Sequence, residues 1–111
     1  MSKSEYLKFF KKKLVQMYRT TKVKNDDYSA GLDPFANFTR VEALGICSPE
    51  QGFLVRMTDK MSRISSFVQR GELSVKSESV DDTLLDLAVY SLLLAAYLKS
   101  QEVTKPQGVL E

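Results

Sequence analysis

The stretch from Ser79 to Ser100, SVDDTLLDLAVYSLLLAAYLKS, decides the fold of this chain. Between Leu84 and Leu98 almost every residue is apolar, and a helix of that composition is apolar nearly all round, so the pattern predicts burial on most sides. The two aspartates near its start fit the positively polarised first turn of a helix. We therefore predict a helix that begins near Ser79, ends near Ser100 and lies at the centre of an all-α fold.

Three further helices are predicted before this one. The first covers about Ser4 to Thr20, with apolar residues at helical spacing and lysines on the other side. A short second helix is bracketed by Asp33-Pro34, an N-cap followed by proline at the first helical position, and by Gly45 at its end. The third begins at Ser48, which has a capping-box partner three residues later, and stops at Gly71. Because no strand is predicted, the expected fold is a four-helix, bundle-like single domain.

The predicted helices divide the chain into three parts. Residues 1–20 form a basic amphipathic helix, residues 21–100 the helical domain, and residues 101–111 a frayed tail. The polar stretch Thr21 to Asp33 is long enough to be a functional loop. The third helix has a predicted core stripe of Phe53, Leu54, Met57, Met61, Ile64 and Val68.

Composition excludes several classes of chemistry. The 111 residues contain no histidine, which rules out Ser-His-Asp and Cys-His catalysis and histidine-ligated zinc. The single cysteine, Cys47, excludes an internal disulfide and fits a reducing compartment. The N-terminus carries charges throughout and lacks the apolar run of a signal peptide. The apolar stretch of the fourth helix falls short of the roughly 20 residues that a bilayer needs, so we expect a cytoplasmic protein without a membrane partner.

The charge is unevenly distributed. The net charge is +2, which gives no reason to expect direct DNA binding. Lysines crowd the first quarter of the chain, however, and an acidic segment lies at the start of the fourth helix. This separation indicates an anionic ligand, a neighbouring subunit or complementarity within the chain.

Asp86 is the single charge inside the apolar stretch of the fourth helix. Glu78 and Asp82 precede it and Tyr90 follows it at i, i+4 spacing, so three carboxylates lie along one side and repel one another. A carboxylate removed from water needs a cation or several hydrogen-bond donors. The candidates are a divalent metal such as Mg²⁺ and a cation of the third helix. The charges of the third helix follow the spacing i, i+3, i+4, i+7: Arg56, Asp59, Lys60 and Arg63.

Four runs of the sequence form a recognisable series: Asn25–Tyr28, Asp33–Phe38, Glu50–Arg63 and Glu78–Tyr90. Together they resemble the phage "nucleotide modification associated" domain. The resemblance covers about residues 20 to 98 and implies a role beside phage nucleotide metabolism or base modification.

The segment Asp86 to Tyr90 is also similar, more distantly, to the late helix of the all-α nucleotide pyrophosphatases of the MazG and dimeric dUTPase kind. The resemblance implies a MazG-like fold and carboxylates that hold Mg²⁺ against a triphosphate. In those enzymes the late helix carries Glu-x-x-Asp, whereas Thr83 stands here in place of the glutamate. Their earlier helix carries Glu-x-x-Glu, whereas this chain has cations there, which suit direct phosphate binding better than metal binding.

Three functions remain open. The first is a nucleotide-binding protein without turnover, which serves modified-nucleotide synthesis or sequesters a host signalling nucleotide, including a cyclic one. Arg56, Lys60 and Arg63 would bind phosphate, while Asp82 and Asp86 would orient the cations or ribose hydroxyls. Asp59 belongs to the same candidate set, and the base would contact Tyr28 or Asn37.

The second function is a Mg²⁺-dependent nucleotide pyrophosphatase. Its metal ligands would come from Glu78, Asp82 and Asp86, with Glu50 and Asp59 as further candidates. The third function is a helical adaptor, in which the charges are surface ion pairs worth a few tenths of a kcal/mol each and only fix helix register. A symmetric dimer or higher assembly is also predicted, because three neighbouring helices do not easily cover a helix that is apolar all round.

Overall fold

All regular secondary structure elements of the described residues are α-helices. A computed structural model describes residues 1–29, 33–73 and 79–102, without the side chains of residues 25–29. Within these ranges the all-α prediction is confirmed. The helices are α1 (Lys3–Ser29), α2 (Ala36–Ala43), α3 (Pro49–Arg70) and α4 (Val80–Gln101).

Packing divides the chain into two units, Met1–Pro34 and Phe35–Glu111. In the first unit, α1 continues to Ser29, so the prediction of a loop over residues 21–29 was wrong. No glycine or proline interrupts these residues, and polar side chains alone do not end a helix. Gly31 and the tail from residue 103 onward lie outside the described residues.

The apolar side chains of α1 are about half exposed. Tyr6 and Phe10 contact each other one turn apart, with ring centroids 6.1 Å from each other. The ammonium group of Lys13 lies 5.4 Å from the centroid of the Phe9 ring. The ammonium group of Lys13 is thus placed for a cation–π interaction with a ring one turn earlier in α1.

α3 begins and ends at the predicted residues. The Ser48 hydroxyl accepts from the Gln51 backbone N–H at 3.2 Å, and the Gln51 side chain accepts from the Ser48 N–H at 3.0 Å. Pro49 occupies the first turn. At the other end, Gly71 has φ +80°, the left-handed conformation that glycine adopts at little cost.

The ends of the other two helices are partly as predicted. The hydroxyl of Ser79 caps α4 by accepting from the Asp82 N–H at 3.0 Å. α2 ends before Gly45, which has φ +74°. Its predicted N-cap at Asp33 was wrong, because the Phe35 carbonyl accepts the first helical hydrogen bonds and the helix begins at Ala36.

Aromatic side chains form the core of the second unit. Phe53 of α3 is fully buried and stacks on Phe38 of α2, with centroids 3.8 Å apart and planes 12° apart. Tyr97 of α4 lies edge-on to Phe35 at 5.4 Å. A Cβ on Gly52 would meet the Phe38 ring at 3.3 Å, so the glycine permits this close approach of α2 and α3.

Fewer apolar side chains of α3 and α4 are buried than the sequence predicts. Of the α3 stripe, Leu54, Met61 and Val68 are exposed, because α2 and α4 cover one side of α3 only. The prediction of burial on most sides of α4 was also wrong for the single chain. Its outward side is solvent-exposed, with Leu92 60% exposed.

The prediction that the apolar stretch of α4 is too short for a bilayer was wrong: among the described residues, α4 is the one helix that is long and apolar enough to cross a membrane. It has 22 residues, and an 18-residue window reaches a mean hydropathy of 1.3. Length and composition alone support this assignment. Buried core helices of soluble proteins meet the same criterion, but only 11% of this window is buried. One side of α4 packs against α3, and an aspartate of α4 is paired with a lysine of α3.

Candidate functional site

The centre of the candidate site is an ion pair that joins α3 to α4. The Nζ atom of Lys60 lies 2.9 Å from Oδ2 of Asp86, and the two side chains are 14% and 31% exposed. Lys60 follows the buried Phe53 by two helical turns, so it lies on the side of α3 that faces α4. The sequence allows a divalent metal or a cation of α3 as the counterion of Asp86, and the structure places Lys60 of α3 there. The carboxylate is half-buried, so its desolvation costs less than predicted.

The antiparallel arrangement of α3 and α4 places this pair at one end of the core. Phe53, near the start of α3, contacts Tyr97, near the end of α4, with centroids 6.0 Å apart. Further along α3, Lys60 meets Asp86, which lies earlier in α4. The Lys60–Asp86 pair therefore lies where the aromatic core meets solvent.

Two arginines flank Lys60 on α3. The Nε atom of Arg63 lies 3.3 Å from Oδ2 of Asp59, one turn before it. This pair is of the surface i, i+4 kind, which contributes a few tenths of a kcal/mol. Arg56 is exposed and makes no ion pair with another described residue. The four charges of α3 thus lie along one side of the helix, as their spacing predicts.

The other predicted ligand residues on α2 and α4 do not join this cluster directly. Asp82 is exposed at the start of α4, one turn before Asp86, and its backbone N–H donates to Ser79. Asn37 is exposed on α2, where its side-chain oxygen accepts from Arg40 at 3.4 Å. Among the described contacts, neither side chain meets a cation of α3.

Thr83 lies between Asp82 and Asp86 in α4. It is the buried polar side chain of α4, and its hydroxyl donates to the Ser79 carbonyl at 3.4 Å. This hydrogen bond satisfies the hydroxyl within the helix, so the residue contributes to packing rather than to an open surface.

Two predicted ligands lie outside the description. Glu78 is outside the described residues, and Tyr28 lies in α1 without a described side chain. Within the described residues, no three Asp, Glu or Cys side chains lie close enough together to share a metal ion.

The structure also contains a contact that sequence reasoning missed. The hydroxyl of Tyr97 hydrogen-bonds to the carboxylate of Glu50, at the opposite end of the core from Lys60. Burial raises the pKa of Tyr97, and the negative charges of Glu50 and Glu42 raise it further. The two partners lie far apart in the sequence, and no local pattern connects them. Glu50, a candidate metal ligand in the sequence, therefore holds a core tyrosine.

The chemistry available to the α3 cluster is anion binding. Lysine and arginine side chains present donors along one helix face, and two carboxylates hold part of them in place. Comparison with known proteins adds no further constraint: the chain matches no protein-family model, no curated protein and no solved structure.

Proposed function

We propose that this protein binds a nucleotide through the cations of α3 and does not turn it over. Guanidinium groups bind phosphate oxygens through paired, charge-assisted hydrogen bonds. Exposed Arg56 suits this role best, because no carboxylate among the described residues neutralises it. Lys60, one turn further along α3, adds a second cation on the same side. The single observation that carries the proposal is this line of cations beside the Lys60–Asp86 pair.

The carboxylates of the cluster have a positioning role in this proposal. Asp86 holds the ammonium group of Lys60, and Asp59 holds the guanidinium group of Arg63. Side chains that are already oriented lose less conformational entropy when a ligand binds. The negative charges of both carboxylates offset part of the attraction between the cations and a phosphate, so binding should weaken as the ionic strength rises.

Thr83 supports binding over hydrolysis. In the pyrophosphatases that the sequence distantly resembles, the corresponding position carries a metal-binding glutamate. Here the threonine is buried, and its hydroxyl is satisfied by a backbone carbonyl. A residue of this kind offers no carboxylate oxygen to Mg²⁺.

A Mg²⁺-dependent pyrophosphatase is the second candidate, because Asp82 and Asp86 follow each other by one turn on α4. Together with Glu78 they would hold the metal, which would bridge the phosphates of the substrate. This candidate requires Asp86 to exchange Lys60 for the metal. The binding function requires no such exchange.

The biological setting is proposed from the resemblance. A phage protein of this kind acts in the host cytoplasm, either in the supply of modified nucleotides or in the sequestration of a host signalling nucleotide. Asn37 and Tyr28 are the proposed contacts to the base, and the proposed fold relationship is to the MazG-like helical proteins.

Calorimetric titration of the full chain tests the proposal. The ligands are canonical, base-modified and cyclic nucleotides, each titrated in EDTA and again with Mg²⁺, while chromatography measures turnover. We expect binding in EDTA without turnover. Arg56→Gln should weaken it, because this variant removes a phosphate contact.

The matched control is Arg70→Gln, which removes a cation at the far end of α3 and should leave binding unchanged. Release of pyrophosphate only with Mg²⁺ would favour the enzyme instead. If the chain neither binds nor hydrolyses any nucleotide of the panel, the helical adaptor is the function that remains.

A further inference from the structure

The outward side of α4 carries a regular pattern that the nucleotide site does not use. Six residues follow one another at spacings of four, three, four, three and four, the spacing of positions that face a partner helix in a coiled coil. Leu92 lies two residues after Tyr90, which packs against the core, so this line is on the opposite side of α4. The line consists of Asp81, Leu85, Ala88, Leu92, Ala95 and Lys99.

The half of this line towards the end of α4 is open to solvent, and the half towards its start is half-buried. Leu92 is 60% exposed, Ala95 and Lys99 are exposed, and Leu85 and Ala88 are half-buried. An apolar line along a helix of 22 residues is unusual on a monomer surface. Adjacent Leu84 and Ala96 widen it on either side, and both are exposed.

We infer that this face pairs with the same face of a second copy of the chain, with the two α4 helices antiparallel. In the register that we assign, residues whose numbers add up to 180 face each other. Asp81 then lies opposite Lys99 of the second copy, and a two-fold axis passes beside residue 90. Both ends of the interface carry the same Asp–Lys pair, as a symmetric dimer requires.

The side chains between the charges fit the same register. Leu85 lies opposite Ala95 of the second copy, and Ala88 lies opposite Leu92 of the second copy. Each large side chain therefore faces a small one, which allows close approach and interdigitation of two helices. In a parallel pair, Leu92 would face itself and Asp81 would meet a like charge.

Charge complementarity selects a second copy over other occupants of this face. The helix dipole alone would favour Asp81 in the first turn of α4 and Lys99 in its last turn. The dipole does not explain the leucine and alanine positions between them. In the single chain Lys99 pairs with Glu102 at 2.9 Å, and its side chain remains 77% exposed, so it is accessible to a second copy. A lipid surface would require neither the charges nor the alternation of large and small residues.

Sedimentation equilibrium of the full chain and its variants tests this interface. We expect a dimer, and Leu92→Asp should weaken it at least about a hundredfold, because it places an unpaired carboxylate in an apolar interface. The matched control is Val55→Asp, at a residue of α3 that is 67% exposed and lies opposite Phe53, away from α4. This control should dimerise like the natural chain. Circular dichroism checks that both variants remain helical.

Charge exchange tests the register. Asp81→Lys should weaken the dimer about tenfold, since two ion pairs become repulsive contacts. Adding Lys99→Asp to the same chain should restore it. If the double variant dimerises no better than Asp81→Lys alone, the assigned register is wrong.

Disulfide capture gives a second readout of the register. In a Cys47→Ser background, a mixture of Ala88→Cys and Leu92→Cys chains should form a mixed disulfide faster than either variant alone. The assigned register brings only the mixed pair within the reach of a disulfide. Equal rates for all combinations would overturn it.

Three results would overturn the interface itself. They are a monomer throughout the micromolar range, a dimer unaffected by Leu92→Asp, and a monomer that sediments with phosphatidylglycerol vesicles. The proposed nucleotide site lies on another side of the unit, so Leu92→Asp should still bind the nucleotide that the natural chain binds.

Discussion

The ammonium group of Lys60 lies 2.9 Å from the carboxylate of Asp86, at the point where the aromatic core between α3 and α4 meets solvent. The pair is more buried than the neighbouring Arg63–Asp59 pair, which joins two turns of one helix. It connects two consecutive helices, so it fixes the register between α3 and α4 and neutralises a charge on each.

A double-mutant cycle measures the strength of this pair. Lys60→Met, Asp86→Asn and the double variant should give a coupling free energy of about 1 kcal/mol, at the upper end of the range for exposed pairs and below that for buried ones. Urea unfolding supplies the four stabilities. The control cycle, Arg63→Gln with Asp59→Asn, should give about 0.3 kcal/mol. Equal coupling in both cycles would show that burial adds nothing at Lys60.

Phe53 should be the most sensitive residue of the core. Its ring is fully buried and stacked on Phe38, so Phe53→Ala should destabilise the fold by about 3–5 kcal/mol in urea unfolding. Phe53→Leu, which fills most of the space, should cost less. Phe10 of α1 is 48% exposed, and Phe10→Ala should change the stability of the same transition much less. A similar loss in both alanine variants would contradict the assigned core.

The hydroxyl of Tyr97 predicts a dependence of stability on alkaline pH. Because burial and Glu50 raise the pKa of Tyr97 in the folded chain, its contribution is complete below the pKa of an unfolded tyrosine, about 10. The contribution is lost as the pH rises through the raised pKa of the folded state. Tyr97→Phe should therefore lose less stability above pH 10 than the natural chain, as measured by urea unfolding across this pH range. Parallel pH curves for the two chains would mean that Tyr97 does not contribute.

The capping box of α3 should stabilise the helix measurably. Ser48→Ala removes the hydroxyl that accepts from the Gln51 N–H, and should cost about 1 kcal/mol of unfolding free energy. Ser62 is an exposed residue in the interior of the same helix, so Ser62→Ala should be neutral or slightly stabilising. If the two variants unfold at the same urea concentration, the cap contributes nothing.

Local signals explain which parts of the fold could be predicted. The boundaries at Ser48, Gly71 and Ser79 depend on hydrogen bonds or backbone conformations within a few residues, so the sequence contains them directly. The charged line of α3 and its approach to Asp86 follow from helical periodicity and from one apolar helix.

Other features depend on contacts across the fold. The start of α2 is set by Phe35, whose ring packs on Tyr97, rather than by the proline before it. The exposure of Leu92 depends on how many helices pack against α4, and the periodicity of the sequence does not reveal that number. The Glu50–Tyr97 hydrogen bond joins residues that no motif links.

The most direct test of the proposed function is the affinity of the full chain for the nucleotide panel in EDTA, compared with that of Arg56→Gln. We predict that at least one nucleotide binds without hydrolysis and that its affinity falls about tenfold in the variant, since a charge-assisted phosphate contact contributes about 1.5 kcal/mol. A nucleotide that binds both chains equally, or a chain that binds none, would contradict the account.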